Sequence, residues 1–197
     1  RDYGTNADFQ RLVAEAHARG MRVIVDLVLN HTSSQNPWFG ASLSRGSPYR
    51  SWYIWSDTDP GYAGPWGTQV WHARGGAFYY GLFWSGMPDL DYRNPDVTAR
   101  MLEVARSWLL DLGADGFRLD AVRHLIEDGT AQQDTRATHD WLKGLRSAVK
   151  SWAPDAYLVG EVWAEPEIVA AYLDREIDQG FEFSLAEAVV SGVRDAS

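Results

Sequence analysis

The sequence contains no cysteine, which excludes thiol catalysis, thiolate metal sites and a disulfide scaffold while fitting reducing and oxidising compartments alike. No apolar run approaches the ~20 residues of a membrane-spanning helix, so no membrane partner is expected. Positive charge is scarce too. Eighteen Lys plus Arg stand against 27 Asp plus Glu, a formal charge of −9, and no basic stripe breaks the acidity. Nucleic acid and anionic membrane are poor partners for such a surface, whereas a neutral or cationic small molecule fits. The chain opens on Arg1 with no signal-like stretch, so its start reads as cut, and localisation and oligomeric state stay open.

What is present, 45% apolar and 23% charged residues, suffices for a packed core. Composition shifts near residue 32 and again near residue 88. Residues 38–84 hold 14 of the 26 aromatics and 8 of the 18 glycines, with Pro37, Pro48, Pro60 and Pro65 in or beside them, which reads as an irregular, loop-rich module. Outside it, strands alternate with helices. Thr5 and Asp8 form a capping box for a helix through Arg19 with an apolar stripe of Phe9, Leu12, Val13 and Ala16. Gly20 stops it before a buried strand, Arg22 to Val28. Asn94-Pro95 opens a second helix ending at Gly113. Strand 116–121, helix 138–152, strand 157–162, a helix opened by Pro166 and strand 181–185 follow. The alternation implies a parallel α/β sheet with helical crossovers. A doubly wound sheet and a (β/α)8 barrel both satisfy that pattern, since neither a dinucleotide-binding glycine turn nor a P-loop follows any strand.

Three strands end in ionisable or hydrogen-bonding residues: Asp26 with Asn30 and His31, Arg118 with Asp120 and His124, and Glu161. C-terminal strand ends are where parallel α/β folds place function. Arg118 and Asp120, two apart, share a face and point away from Phe117 and Leu119. Asp120 and Glu161 fall on consecutive strands, which puts their carboxyl groups roughly 5–6 Å apart if level. That spacing suits a retaining glycosidase, with Asp120 ionised beside Arg118 and Glu161 kept protonated by desolvation. Taken singly, each has a plainer reading: Asp26 as a buried ion-pair partner, His31 as a loop or cap residue, Asp120 with Arg118 as a structural salt bridge.

Residues 26–31 (DLVLNH), 116–124 (GFRLDAVRH), 159–162 (VGEV) and 87–91 (MPDLD) resemble, in order and spacing, signature regions of the α-amylase family, glycoside hydrolase family 13. Tyr-Gly-Thr (3–5) and residues 16–23 resemble the stretch entering the third barrel strand. The resemblance implies a partial (β/α)8 barrel: a barrel segment at 1–31, an inserted small domain at 32–92 and strands four to six at 93–197. It implies that Asp120 is the nucleophile, Glu161 the acid/base, Arg118 the partner orienting Asp120, and Asp26 a structural support. His31 and His124 would donate hydrogen bonds to sugar, and Arg123 would touch the sugar beyond the cut. It further implies a structural Ca2+ held by Asn30, Asp89 and the His124 carbonyl, no organic cofactor, and an α-glucan or maltooligosaccharide substrate cleaved at α-1,4 bonds. The family's His-Asp signature does not follow Leu185, nor do the first two strands occur. The expectation is therefore a piece of a larger enzyme, inactive alone and of doubtful isolated stability.

Two other readings compete. A transglycosylase or sugar isomerase such as trehalose synthase would share every catalytic residue, and a non-catalytic, amylase-like assembly protein would have lost the carboxylates that this chain keeps. Of the tryptophans, Trp108, Trp141 and Trp152 read as core. One or two of Trp38, Trp52, Trp55, Trp66, Trp71 and Trp84 read as sugar contacts. His17 and His139 read as solvated, and Glu165, Glu167, Asp174, Glu176 and Asp178 as an exposed acidic face.

Overall fold

The computed structural model describes residues 4–173 and 175–195. Tyr3 of the Tyr-Gly-Thr stretch and Asp174 of the acidic run lie outside the described residues. Two compact units form: one from the segment ending at Leu27, Val104–Val122 and the segment from His139 onward, the other from Val28–Glu103 and Arg123–Thr138. Among the described residues no helix is long and apolar enough to cross a membrane.

The first unit is built on a parallel sheet in the order β1 (Ile24–Leu27), β5 (Gly116–Leu119), β6 (Tyr157–Gly160), β7 (Gln179–Gly180). Helix α1 (Asn6–His17) starts where Thr5 and Asp8 cap each other reciprocally, satisfying N–H groups that the first turn leaves free. Its Phe9 meets Trp108 edge-on at 5.0 Å and Val13 is buried. Gly116 admits no side chain: at φ 154° a Cβ would stand 2.0 Å from the Tyr157 carbonyl oxygen, so the β5–β6 pairing requires glycine. Helices α4 (Arg136–Trp152) and α5 (Pro166–Tyr172) supply the crossovers, and α4 buries Leu142, Leu145 and Val149.

Several expectations fail here for physical reasons. Leu12 is 53% exposed, being rotated off the Phe9–Val13 line to the flank of the helix. The first strand is shorter than 22–28 and is not buried on both faces: Leu27 is buried while Ile24 is 41% exposed. The strand expected at 181–185 is instead β7 followed by helix α6 (Phe183–Asp195). Glu182 ends the extended run by accepting from the Leu185 N–H at 3.3 Å, and Leu-Ala-Glu-Ala then favours helix. Trp108, Trp141 and Trp152 are half-buried rather than central. His17 is exposed as expected and pairs with Asp115 at 2.7 Å, whereas His139 is not solvated but sits on buried Glu176 at 2.9 Å with Tyr172 against its ring. Glu176 and Asp178 are no exposed face either. Asp178 binds Arg146 at 2.5 Å, Lys150 at 3.0 Å and the Leu158 N–H at 2.9 Å.

In the second unit a three-stranded antiparallel sheet, ordered β2 (Trp55–Ser56), β4 (Ala77–Tyr80), β3 (Trp71–Arg74), runs through the loop-rich module. Gly75 and Gly76, both at positive φ, close the β3–β4 hairpin, the conformation a tight two-residue turn demands. Val70, Trp71, Tyr80 and Leu82 form its core. Helix α2 (Pro37–Ser42), capped by Asn36, seats Phe39 against Tyr53, Tyr79 and Trp55 with ring centroids at 5.1, 4.9 and 5.8 Å. Helix α3 (Pro95–Arg106) then leads into a single π-helical turn, Ser107–Asp111.

Candidate active site

Strand alternation decides which side chains meet. Asp26 pairs in register with Arg118, Leu119 with Gly160, so Asp120 and Glu161 follow one step beyond the paired residues on the two neighbouring strands. The Asp120 N–H reaches the Leu27 carbonyl at 3.4 Å and the Glu161 N–H the Leu119 carbonyl at 2.9 Å, so the ladder carries both to the same strand end. Arg118 is the hub. Its Nη1 donates to Asp26 Oδ1 at 2.8 Å, to Asp26 Oδ2 at 3.0 Å and to Asp120 Oδ1 at 2.5 Å, while Nη2 donates to Glu161 Oε2 at 2.6 Å. A planar guanidinium serves several carboxylates at fixed angles, as a lysine could not.

The pattern of shared faces predicted the Arg118–Asp120 contact, but the bond from Arg118 to Glu161 escaped the sequence reading. One guanidinium thus holds both carboxylates. Burial raises the Glu161 pKa, the Arg118 charge pulls it down, and the Asp120 charge raises it again, with the net shift upward. Burial lowers the Arg118 pKa, but its bond to Asp26 and the charges of Asp120 and Glu161 outweigh that and raise it. Ala121, between Asp120 and Val122, adopts φ 51°, and its N–H bonds the Glu161 carboxylate. A left-handed alanine is strained, and such strain concentrates at functional sites. Nothing in the sequence signals it, because glycine would be the usual occupant.

The other site residues lie in the second unit. Asn30, buried, donates from Nδ2 to the His124 carbonyl at 2.6 Å, and its Oδ1 meets His31 Nδ1 at 3.1 Å. His124 is buried, donates from Nδ1 to the Gln132 carbonyl at 3.0 Å, and has its pKa lowered by desolvation, so the ring is neutral with Nε2 left as acceptor. Phe83 stands edge-on to both His31 and His124, at 5.6 and 5.8 Å, and half-exposed Trp66 leans on Phe83 and His124. Arg123 is engaged by Asp134 through Nε at 2.9 Å and through Nη2.

Asp89 is 1% exposed; its Oδ1 accepts from the Leu82 N–H at 3.1 Å while Oδ2 has no hydrogen-bond partner. Glu127, unmarked in the sequence reading, behaves alike. Its buried Oε2 also lacks a hydrogen-bond donor, with Arg93 Nη1 at 3.9 Å, beyond that reach. Burial pushes Glu127 up to about 7, and burial followed by the Glu127 charge pushes Asp89 well above the usual carboxylate range. Two buried acids that repel each other, beside an amide and a carbonyl, form the oxygen-rich donor set a hard cation such as Ca2+ takes. Among the described residues no three His or acidic side chains converge in a metal-holding group, so the fit rests on these mixed oxygens.

A parallel sheet whose ionisable side chains gather at the C-terminal strand ends, with helices between strands, defines the class: part of a (β/α)8 barrel with an acidic site. Comparison makes that specific. Residues 1–195 match the family described as the Alpha amylase catalytic domain. Alpha-amylase 3 of Dictyoglomus thermophilum is 40% identical over 192 residues, 97% of this chain and 36% of that protein. Trehalose synthase/amylase TreS of Mycolicibacterium smegmatis is 39% identical over 215 residues, 100% of this chain and 36% of that protein. The crystal structure of the α-amylase from H. orenii superposes with a TM-score of 0.85 at 42% identity, over 96% of this chain and 38% of its own. The chain belongs to the α-amylase family, and it spans about a third of the length of these curated relatives.

Proposed function

We propose that Asp120 and Glu161 are the nucleophile and the acid/base of a retaining glycosidase acting on α-1,4-glucosidic bonds of maltooligosaccharides or related α-glucans. The observation that supports it is Arg118 binding both carboxylates while burial and the Asp120 charge raise the Glu161 pKa against the pull of Arg118. Asp120 attacks the anomeric carbon as the glycosidic C–O bond breaks, and Glu161 gives its proton to the leaving oxygen. Glu161 then takes a proton from water, whose oxygen displaces Asp120. Asp26 holds Arg118; His31 and His124 bond the sugar, and Trp66 offers it an apolar face. The family resemblance gives Arg123, set by Asp134, the role of touching the sugar beyond the cut.

Asp120→Asn and Glu161→Gln in the full-length protein should each cut maltooligosaccharide turnover by several orders of magnitude with the fold intact. Near-normal rates in either variant, or release of the β-anomer first by NMR, would refute the assignment. The similarity to a trehalose synthase/amylase supports a second reading, glucosyl transfer within the site in place of hydrolysis. Trehalose among the products of maltose would favour it. A structural Ca2+ is also proposed, held by Asn30, Asp89, Glu127 and the His124 carbonyl, with no part in bond cleavage. Calcium should raise the melting temperature of the wild type and not of Glu127→Gln; equal response in both would remove Glu127 from the set.

A further inference from the structure

An open groove of about 520 Å³ in the second unit is lined by Arg45, Ser47, Arg50, Ser51, Trp55 and Asp91 among others, room for a group of hexose-phosphate size. Its charges do not cancel. Arg45 is paired with Asp57 at 2.5 Å, and Asp91 is held by its neighbour Arg93, at 3.6 Å through Nη1 and 3.0 Å through the backbone N–H. Arg50 has no carboxylate within ion-pair distance among the described residues. Its guanidinium lies 3.7 Å over the Trp55 ring and Nη1 donates to the Ser42 carbonyl at 3.2 Å, which commits one of five N–H groups. Desolvation and then the nearby Arg45 charge lower its pKa, with the Asp57 charge opposing them only in part.

The hydroxyls beside it are also poised to donate. Ser47 Oγ accepts from the Tyr49 N–H at 3.1 Å and Ser51 Oγ from Asn94 Nδ2 at 3.0 Å, which leaves each O–H proton available. The Trp55 ring is engaged by Arg50 at 3.7 Å and by Phe39 stacked at 5.8 Å, so it is already committed to protein partners rather than offered to a sugar ring. We propose that this groove binds a phosphate-type oxyanion, free or carried by a sugar, with Arg50 as chief donor and Ser47 and Ser51 completing its shell. Arg–phosphate bonds are charge-assisted and forked, and an anion would neutralise the one unpaired cation of the groove. The proposal is independent of the glycosidase reading.

Titration calorimetry of the full-length protein with glucose 6-phosphate, inorganic phosphate and glucose tests it, in the wild type, Arg50→Gln and Arg50→Lys. Saturable heat is expected from glucose 6-phosphate, weakened roughly tenfold or more in Arg50→Gln and partly kept in Arg50→Lys. Equal affinity for inorganic phosphate assigns recognition to the phosphate alone; preference for the sugar phosphate adds contacts to the ring. Oligosaccharide turnover should persist in both variants, and circular dichroism reads the fold independently of turnover. No heat from either phosphate, heat unchanged in Arg50→Gln, or equal binding of glucose overturns the proposal.

Discussion

Replacing Arg118 with Met removes the cation shared by Asp26, Asp120 and Glu161 while keeping a flexible side chain of similar reach. Breaking a buried ion pair costs about 3–5 kcal/mol, and an exposed pair is worth about 0–1 kcal/mol. Arg118, Asp120 and Glu161 are 24, 22 and 26% exposed and Asp26 is 56% exposed, so this cluster falls between those limits. A loss of about 2–3 kcal/mol at neutral pH is expected. Three carboxylates are then left facing one another, and Glu161, whose pKa burial and the Asp120 charge already raise against the pull of Arg118, takes up a proton first. That uptake offsets part of the loss, so the size of the defect depends on pH.

The sign follows from linkage. A carboxyl group with a raised folded-state pKa favours the folded state below its unfolded pKa, and that advantage is lost as pH rises through the folded value. Without Arg118 the Glu161 value rises further, so the gap in urea stability between wild type and Arg118→Met should widen as pH rises through the Glu161 range. The alkaline limb of kcat/KM, which reports loss of the proton from the acid, should move upward in the same variant. Arg118→Lys should restore little, since one ammonium cannot span two Nη positions. A parallel pair of stability curves, or an unmoved alkaline limb, would show that Arg118 does not set the protonation of Glu161.

Asp115 should matter for stability alone. Burial raises its pKa, but bonds from the Val23 N–H, His17 and Arg22 more than compensate, so its contribution exists above its unfolded pKa and fades as pH falls through the lowered folded value. Asp115→Asn should cost about 1–3 kcal/mol by urea titration above pH 6 and nearly nothing at strongly acid pH; equal loss at both would refute this. Gly116→Ala drives a Cβ against the Tyr157 backbone and should prevent soluble expression or abolish cooperative unfolding, and a wild-type transition would contradict the parallel pairing of β5 with β6. Ala121→Gly relieves the left-handed backbone and should stabilise by up to about 1 kcal/mol in thermal unfolding, whereas destabilisation would mean φ 51° carries no strain.

The elements legible in the sequence were those governed by nearby residues. Thr5 and Asp8 cap α1 because their reciprocal bonds close within three positions. The alternation of Arg118 and Asp120 gave their shared face for the same reason. The hairpin at Gly75-Gly76 was equally local, yet the density of glycine and proline around it was read as irregularity; the turn pair flanked by Trp71–Arg74 and Ala77–Tyr80 was the missed signal. At 181–185 a strand was expected, but Glu182 offered a helix cap.

What stayed hidden depends on distant partners. His139 and Glu176 are 37 residues apart, and neither composition nor period tells that one fills the other's hydrogen-bonding need. The Arg118–Glu161 bond spans 43 residues and decides more. Motif resemblance assigned Arg118 to the nucleophile, yet one guanidinium binds both carboxylates, so the charge that binds Asp120 also favours loss of the Glu161 proton. The Glu161 pKa is raised all the same, because burial and the Asp120 charge oppose that pull. The raised Glu161 pKa is thus a balance of opposed influences: Arg118 pulls it down, and the burial of Glu161 with the Asp120 charge pushes it up. A substitution that admits water beside Glu161 without touching any charge, such as Val162→Ser at a fully buried position, should lower its pKa and shift the alkaline limb of kcat/KM to lower pH. An unshifted limb with the fold preserved would mean that burial does not raise the Glu161 pKa.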